Sequence, residues 1–510
     1  MIDVECTNST IPILYLFKTF FLISTIPISK NIYTSLMMDV GAKAREVDPI
    51  LNLPVHSPVT SLCFVSRKNP AASCTDCDEQ SSKLRSDDDH TENIDNPDSS
   101  SQSSEEDDDG DDEIQFRSST IRLQKPDSMS FRNHPCRVLE DRFLSSCHGN
   151  GEALLWDLNN QKKVATISPP RGGSGLCIKR TEDPTKIIFQ TRDPKGTVSL
   201  HSIERCDDIG GKGDSTSTSS VLSNPTTTTT ITRQYETYSQ TFCQAAPCHG
   251  DRHLLALPSI DDSTVTVVDD RTDTNVAKYS IDGHGMLTSL ALSVTANNTG
   301  HDTGRPILAC GMESGTVFFF DITDGSPRSS SESSFSLGKE PILTLDLLPS
   351  RVTSVKSSLS DKRSSDALLV AAGMAGDADD VSQLSNDKAG RAVLLKTIYC
   401  QDHYNNPTWN FEQRARLSTC RVDRESFNGK PGVSVCRFRP KDGRLLAIGG
   451  WDRRIRLFER SKGNAMAILK GNAGSIADLD WAPDSMASGL LASANKDDKL
   501  ITLWQCFANS

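Results

Sequence analysis

A strand-turn-strand unit recurs along this chain, and no other feature restricts its fold as much. The clearest copies are the last two. In one, Val433-Ser434-Val435-Cys436-Arg437-Phe438 alternates, Leu445-Leu446-Ala447-Ile448-Gly449-Gly450 follows as a small-residue run, and Asp452 turns the chain into Ile455-Arg456-Leu457-Phe458. In the other, Ile476-Ala477-Asp478-Leu479-Asp480-Trp481 precedes Leu490-Leu491-Ala492-Ser493-Ala494, and Asp498 precedes Leu500-Ile501-Thr502-Leu503-Trp504. Period-two alternation sends successive side chains to opposite faces of a sheet, and Gly or Asp turns between short runs fold the chain back antiparallel. One such unit cannot cover its own apolar faces. Stacked copies can, so the array must fold as a single all-β domain.

Traced backwards, third strands end near Trp156, His201, Val268, Phe320, Lys396, Phe458 and Trp504, at intervals of 45, 67, 52, 76, 62 and 46 residues. A propeller blade needs about 40 to 45 residues. The short intervals are bare blades, the long ones carry inserts, and the last two copies resemble WD repeats. The fold class predicted is an all-β, seven-bladed WD-repeat β-propeller spanning 48–507. Residues 48–64 hold one strand more than the first repeat needs. Donated as the outer strand of the last blade, it would close the ring and shorten its exposed edges. Residues 1–47 are expected to be a poorly ordered extension. Within it Pro12, Lys18 and Pro27 break the apolar stretch Ile11 to Ile28, short of the roughly 18 to 20 apolar residues of a membrane helix. Asp3 and Glu5 stand where a secretory signal carries Lys or Arg. A presequence remains the alternative for this stretch.

Polar tracts stand at about 66–119, before the first of these ends, at 205–236, inside the 67-residue interval, and at 326–336 and 350–388, inside the 76-residue one. The first holds Asp87-Asp88-Asp89 and the run Ser103-Ser104-Glu105-Glu106-Asp107-Asp108-Asp109-Gly110-Asp111-Asp112-Glu113; the second holds five threonines, Thr226 to Thr230. Such tracts bury too little to offset the entropy of ordering, so all four are expected to be disordered inserts. They also account for an apolar content of only 36%. A formal net charge of −12 argues against a broad grip on phosphate backbones, so no direct nucleic-acid partner is expected. Fifteen cysteines, odd in number and without paired spacing, read as free thiols in a reducing compartment. Cys74 and Cys77 form a C-x-x-C with no second pair at zinc spacing, so no metal site is assigned.

Catalytic patterns are missing from the sequence. Gly210-Gly211-Lys212-Gly213-Asp214-Ser215 lacks the phosphate-loop spacing, and Asn495-Lys496-Asp497-Asp498 has the letters of a guanine-recognition motif without any phosphate loop beside it. No nucleophile elbow, H-E-x-x-H or paired carboxylate stands at useful spacing. The chain is therefore expected to be non-enzymatic, with no cofactor, no small-molecule substrate and no membrane partner. The Gly-His, Ser/Thr, Asp, Trp network of many WD repeats fits few copies here. The turn positions read Asn150, Lys195, Asp262, Ser314, Asp452 and Asp498, and Gly283-His284 supplies a Gly-His pair. Apolar packing is expected to hold most blades instead.

A basic cluster stands out in this acidic chain: Arg437, Arg439, Lys441, Arg444, Arg453, Arg454 and Arg456. Strand alternation places Arg437 and Arg439 on one side. Arg437, Arg439, Arg453 and Arg454 are the candidate partner-binding residues, against the plainer reading of a solvated face. Trp451-Asp452-Arg453-Arg454 also matches the W-D-x-R letters of substrate receptors of cullin-type ubiquitin ligases, though before a third strand and not after it. Trp156-Asp157 ends a third strand, but Asn159 stands where the arginine belongs. A ligase substrate receptor is thus the alternative function.

Leu308 to Val317, Phe242-Cys243 followed by Leu254 to Ser259, Glu340-Pro341-Ile342-Leu343 and Gly449 to Arg456 resemble the WD-repeat family containing ASTRA-associated protein 1 and G-protein beta-subunit-like protein 1. The likeness covers roughly 48–507, with the polar inserts as departures. It implies a seven-bladed propeller without catalysis, a scaffold for protein partners in a multisubunit complex. That complex would be an ASTRA-like chromatin-associated one or an assembly complex for phosphatidylinositol 3-kinase-related kinases, in nucleus and cytoplasm. A heterotrimeric G-protein beta subunit would need an amino-terminal coiled coil, and residues 1–47 show no sustained heptads.

Ser103 and Ser104 each have an acid three residues on, Glu106 and Asp107, and Ser86 precedes Asp87-Asp88-Asp89. An acidophilic kinase of the casein-kinase-2 type takes that pattern, and each phosphate adds about −1.5 to −2 charge. Partner capture from lysate by the wild type should exceed that by a Ser86→Ala, Ser103→Ala, Ser104→Ala variant, and phosphatase should abolish the difference. Identical capture in all arms would leave the insert a spacer.

Overall fold

The computed structural model describes residues 45–47, 49–67, 141–206, 226–295, 304–323, 333–350, 366–375, 392–401, 407–417 and 432–506, less 159, 170–171, 184, 251–252, 441, 461–462, 484–488 and 497–498. The chain divides into a unit Met1–Lys43, outside the described residues, and a unit Ala44–Ser510 that holds all of them. No described residue is helical, and so among the described residues no helix is long and apolar enough to cross a membrane.

The strands form six sheets. The first runs Val59–Arg67, Asp141–His148, Ala153–Asp157, Lys162–Ile167, and the second Ser174–Arg180, Lys186–Arg192, Thr197–Cys206, Thr226–Glu236. The third has eight strands in two antiparallel halves. One half is Ala246–His249, Leu254–Pro258, Thr264–Asp269 and Thr274–Ser280; the other is Leu287–Val294, Pro306–Met312, Thr316–Asp321 and Ser334–Ser336. The halves join where Cys248 and His249 pair in parallel with Leu292 and Ser293. The fourth sheet is Ile342–Ser350, Asp366–Met374, Ala392–Gln401, Pro407–Leu417. The fifth is Val433–Phe438, Leu445–Gly450, Ile455–Glu459, Ala465–Leu469, and the sixth is Ile476–Trp481, Leu490–Asn495, Leu500–Gln505.

The first strand of each sheet or half-sheet is the inner one. Val59–Arg67, Ser174–Arg180, Ala246–His249, Leu287–Val294, Ile342–Ser350, Val433–Phe438 and Ile476–Trp481 pack each on the next in that order, and the last packs on the first. This closed cycle is a β-propeller arrangement. The expected third-strand ends, from Trp156 to Trp504, all lie on the third strand of a sheet or half-sheet.

Sheets stacked this way are covered on both faces, which explains why second strands lose alternation. Pro306–Met312, Leu445–Gly450 and Leu490–Asn495 are buried at every position. The core lies between neighbouring sheets. Cys63, Val65 and Phe143 of the first meet Ile178, Ile187 and Phe189 of the second, and Val435 and Ala447 of the fifth meet Ile476, Leu479 and Trp481 of the sixth. Each large apolar side chain so covered is worth about 1.5–3 kcal/mol.

Close approach is set by glycines on the second strands. A Cβ on Gly311 would stand 2.8 Å from Ile342 Cγ2, one on Gly373 2.5 Å from Val433 Cγ1, and one on Gly449 2.7 Å from Ile476 Cγ2. In each case the neighbour is the first inner-strand residue of the following sheet or half-sheet. The glycine is the space into which the next sheet fits.

Closure occurs as expected: Leu51–Pro54 is the outer strand of the sixth sheet, with Leu51 opposite Leu503 and Pro54 opposite Leu500. Other expectations need correction. Arg45–Val47 belongs to the fold, pairing in parallel with Ala467–Leu469, so the extension assigned to 1–47 runs too far. The insert assigned to 205–236 ends early, because Thr226–Glu236 is an antiparallel outer strand along Thr197–Cys206. Its threonines are β-branched and suit a pleated strand, a preference that low-complexity composition hides. Ser334–Ser336 likewise pairs with Thr316–Phe318, and Asp366–Met374, within the tract assigned to 350–388, pairs with Ile342–Ser350. Ser66 and Arg67 end an inner strand; residues 68–119 of the acidic tract lie outside the described residues.

Two deletions separate core from insertion. Removing 72–119 should move the melting temperature by no more than a degree or two, about what a change in loop-closure entropy allows. Removing 49–54 strips the sixth sheet of its outer strand and should lower it by roughly 5 °C or more. Equal shifts in a thermal melt would contradict strand closure.

Candidate functional site

Inner strands leave one edge of backbone groups facing the centre of the ring, and unpaired backbone groups are costly where water is excluded. In six of these strands the register slips by one residue near the start, leaving Thr60, Leu176, Thr288, Leu343, Ser434 and Ala477 as the extra residues. Three of them carry hydroxyls, and each hydroxyl sits between two carbonyls. Thr60 Oγ1 is 3.2 Å from Cys147 O and 3.1 Å from Gly175 O. Thr288 Oγ1 is 2.9 Å from Gly311 O and 2.6 Å from Ile342 O. Ser434 Oγ is 3.2 Å from Gly449 O and 2.5 Å from Ile476 O. One carbonyl is on its own second strand and the other on the next inner strand.

Acceptors complete the stitching. Thr344 Oγ1 accepts the Cys436 N–H at 3.2 Å and Asp346 Oδ2 the Phe438 N–H at 2.6 Å. Two sheets on, Asp478 Oδ2 accepts the Leu62 N–H at 3.2 Å and the Ser61 hydroxyl at 2.6 Å, and Asp480 Oδ2 accepts the Phe64 N–H at 2.8 Å. Each pair of acceptors is spaced by two, as one side of a strand requires.

This frame decides what the expected basic residues do. Arg437 Nη2 lies 3.3 Å from Asp478 Oδ1, its side chain 20% exposed. Burial opposes the Arg437 charge, but Asp478, Asp346 and Asp480 outweigh it and hold the guanidinium's pKa above its ordinary value. Arg439 forms a fork with both Asp442 oxygens, its Nε 2.9 Å from Oδ1. Arg437 and Arg439 are thus each matched to a carboxylate and do not make a joint positive patch. Arg456 is buried on Asp452, with Nη2 to Oδ2 at 2.6 Å. Arg453 is exposed in the left-handed region at φ 68°, and the half-buried Arg454 donates its backbone N–H to Asp452 Oδ1 at 3.4 Å. Ser86, Ser103, Ser104, Cys74, Cys77, Lys441 and Asp498 lie outside the described residues.

Polar networks are more frequent than the sequence suggested. Trp156 Nε1 donates to Ser146 Oγ at 3.0 Å, which in turn meets His148 Nε2 at 2.9 Å. In the sixth sheet Trp504 Nε1 donates to Ser493 Oγ at 2.9 Å, with Asn472 Oδ1 3.5 Å beyond. Asp193, two residues before the turn position read as Lys195, accepts the Thr197 N–H at 3.1 Å and the Thr197 hydroxyl at 2.7 Å. Apolar packing is therefore joined by buried hydrogen bonds in the first, second and sixth sheets. The missed signal was a Trp on a third strand facing a Ser on the second, with Asn standing in for His.

The centre of the ring holds a cavity of only about 60 Å³, partly open to solvent and bordered among others by Lys179, Phe242, Gln244, Ser434 and Arg437. No group of three or more His, Cys, Asp or Glu able to hold a metal occurs among the described residues. Eight described cysteines are buried. Burial pushes the Cys177 thiol up to about 11 and the Cys506 thiol up to about 12, far from a thiolate nucleophile.

Asp346 yields a pH test. Burial raises its carboxyl from near 3.8 to about 6, against the pull of Arg437 and of the Phe438 and Leu347 N–H groups. A carboxyl raised in the fold stabilises it fully below the unfolded value and loses that contribution as pH rises through about 6. The stability of wild type relative to Asp346→Asn should fall by about 1–3 kcal/mol between pH 4 and pH 7, read from denaturant midpoints. A constant difference across that window would mean that Asp346 ionises in the fold at no cost.

No protein-family model matches the chain. It is similar to guanine nucleotide-binding protein subunit beta-like protein 1 of Mus musculus, 22% identical over 378 residues, covering 73% of this chain and 90% of that protein. Taken with the ring of antiparallel sheets, that likeness supports a WD-repeat β-propeller, and it does not single out the ASTRA-associated branch of the family.

Proposed function

We propose that this chain is a seven-bladed WD-repeat propeller acting as a non-enzymatic scaffold for protein-protein interaction. The count takes each half of the eight-stranded sheet as one blade beside the five other sheets. The observation that carries the reading is the closed cycle of inner strands, in which buried polar groups are spent on holding one sheet to the next. A rigid ring of this kind offers loops at its ends as recognition surfaces.

The complex we favour is ASTRA-like and chromatin-associated, or one that assembles phosphatidylinositol 3-kinase-related kinases, with residence in nucleus and cytoplasm. Within it Arg453 and Arg454 are the proposed contact residues. Arg437 is engaged by Asp478 of the next sheet and Arg439 by Asp442 of its own turn, so neither is proposed as a contact. The ligase-receptor alternative has no supporting observation: Asp452 is engaged by Arg456, and Trp451 packs on Gly432, where an added Cβ would meet Trp451 Cδ2 at 2.6 Å.

Mass spectrometry of a tagged full-length pull-down should return kinase-assembly or chromatin subunits in stoichiometric amounts. Arg453→Glu with Arg454→Glu should remove a specific partner, and Arg453→Glu alone, at an exposed position, should do so in part while stability changes by less than about 0.5 kcal/mol. Recovery of a cullin adaptor instead would favour the ligase reading, and recovery of no stoichiometric partner would defeat the scaffold.

A further inference from the structure

Six large apolar side chains are exposed among the described residues, and two of them, Ile260 at 65% and Met286 at 42%, stand on neighbouring loops of the third sheet. One loop joins Pro258 to Thr264, second strand to third in the first half, and the other joins Ser280 to Leu287, the passage into the second half. A third loop, between Met312 and Thr316, joins second strand to third in that second half. The two inner strands run in the same direction, as the parallel pairing of Cys248 and His249 with Leu292 and Ser293 shows. All three loops therefore come to one end of the ring.

Backbone hydrogen bonds fix these loops as one surface. The Leu287 N–H donates to Asp262 O at 2.6 Å, the Ile281 N–H to Ser263 O at 3.0 Å, the Glu313 N–H to Met286 O at 2.9 Å and the Ser314 N–H to His284 O at 3.1 Å. Glu313 Oε2 accepts the Met286 N–H in return at 3.2 Å. The His284 ring meets Phe318 edge-on, with 4.7 Å between centroids. Ile260 and Met286 are thus held in water by a braced backbone, which is the form of an interaction anchor.

The charge around that pair has one sign. Asp261, Asp262, Asp282 and Glu313 are exposed on the same three loops, and none has a cation within ion-pair distance among the described residues. Lys339 and the half-buried Glu340 follow on the next loop and leave the balance unchanged. Phe242, on the loop before, is a different case, because the Arg192 guanidinium carbon stands 4.1 Å from its ring centroid and gives it a cation of its own. The direction of the inner strands carries on round the ring: Thr288 meets Ile342, start to start, and Thr344 and Asp346 meet Cys436 and Phe438 in the same order. The turn of Arg453 and Arg454 accordingly lies at this same end, on the fifth sheet, and Lys470, Lys496 and Lys499 are exposed on loops of the sixth. One end of the ring is acidic and apolar over the third sheet and basic over the fifth and sixth. Complementarity then asks for a cationic ligand at the first of these sectors.

We infer that the sector formed by Ile260, Asp261, Asp262, Asp282, Met286 and Glu313 docks a short segment of a partner protein in which apolar side chains stand beside lysine or arginine. The apolar side chains of the segment cover Ile260 and Met286. Its cations take Asp261, Asp262 and Asp282. This rests on the scaffold reading, shares an end of the ring with Arg453 and Arg454, and asks for the opposite charge.

The test begins with selection from a random twelve-residue peptide library displayed on phage, run in parallel on the full-length chain and on its Ile260→Ser, Met286→Ser variant. Peptides lost from the variant's selection should be enriched in lysine or arginine beside leucine, isoleucine or phenylalanine. A labelled synthetic copy of the most enriched one is then followed by fluorescence anisotropy. The serine pair, and separately Asp261→Asn with Asp262→Asn, should each weaken it at least 10-fold with unchanged melting temperature. Asp273→Asn, exposed at the opposite end of the same sheet, should bind like wild type. Raising salt from 50 to 300 mM should weaken the wild-type complex at least fivefold and the asparagine-pair complex by less. If the serine pair melts below wild type, the nearly isosteric asparagine pair decides. Acidic peptides in the lost set, no peptide lost, or full affinity in the asparagine pair overturns the inference. A dimer in sedimentation that the serine pair dissolves would seat a second copy on this sector and overturn it as well. If the tagged pull-down returns stoichiometric partners while the peptides fail, the surface is wrong and the scaffold stands; if it returns none, the scaffold reading has failed and this surface with it.

Discussion

The inner edge of every sheet poses the same physical problem: a row of amide and carbonyl groups with no further strand to pair with. The solution is borrowed side chains. A bulge near the start of an inner strand frees one residue from the ladder, and where that residue is Thr60, Thr288 or Ser434 its hydroxyl spans to the carbonyl of the next sheet. Further along the strand Thr344 and Asp346, or Asp478 and Asp480, take up amide hydrogens of the neighbour. Because such groups lose a large part of their stabilisation if a partner is removed, the sheets are coupled around the ring and are not independent modules.

That coupling explains why charge in the middle of the molecule is poorly suited to recognition. Arg437 stands among Asp346, Asp478 and Asp480, and its own carbonyl accepts the Trp481 indole N–H at 3.1 Å. Arg439 and Arg456 are matched within their own turns. Loops at the ends of the ring carry fewer such obligations, so their side chains can be chosen for contact with other molecules.

How much of this could be read from the residues depended on range. Strand periodicity and the small-residue second strands are local, so Leu445–Gly450, Leu490–Asn495 and the closing strand Leu51–Pro54 were legible. Thr226–Glu236 was not, because composition classified its threonines as insert while their β-branching suited them to a strand. The basic cluster failed for a different reason. The carboxylate that matches Arg437 is Asp478, some forty residues away, and no one-dimensional pattern reports that pairing, whereas Asp442 for Arg439 and Asp452 for Arg456 stand close in sequence. The exposure of Phe242 was equally hidden: its neighbours in sequence are polar and give no sign that the ring is turned outward.

The strand Leu51–Pro54 has a temporal consequence. It leaves the ribosome among the first residues of the domain, yet its partner Leu500–Leu503 leaves among the last. For almost the whole of synthesis the first sheet can form while the ring stays open, with an apolar segment seeking any free edge. Emergence of the last strand is thus the earliest moment at which the two partners can meet, and the loop they close is nearly the full length of the domain, which favours slow closure. A nascent domain of this design is most exposed to mispairing just before its last strand emerges, and chaperone dependence should concentrate in that interval.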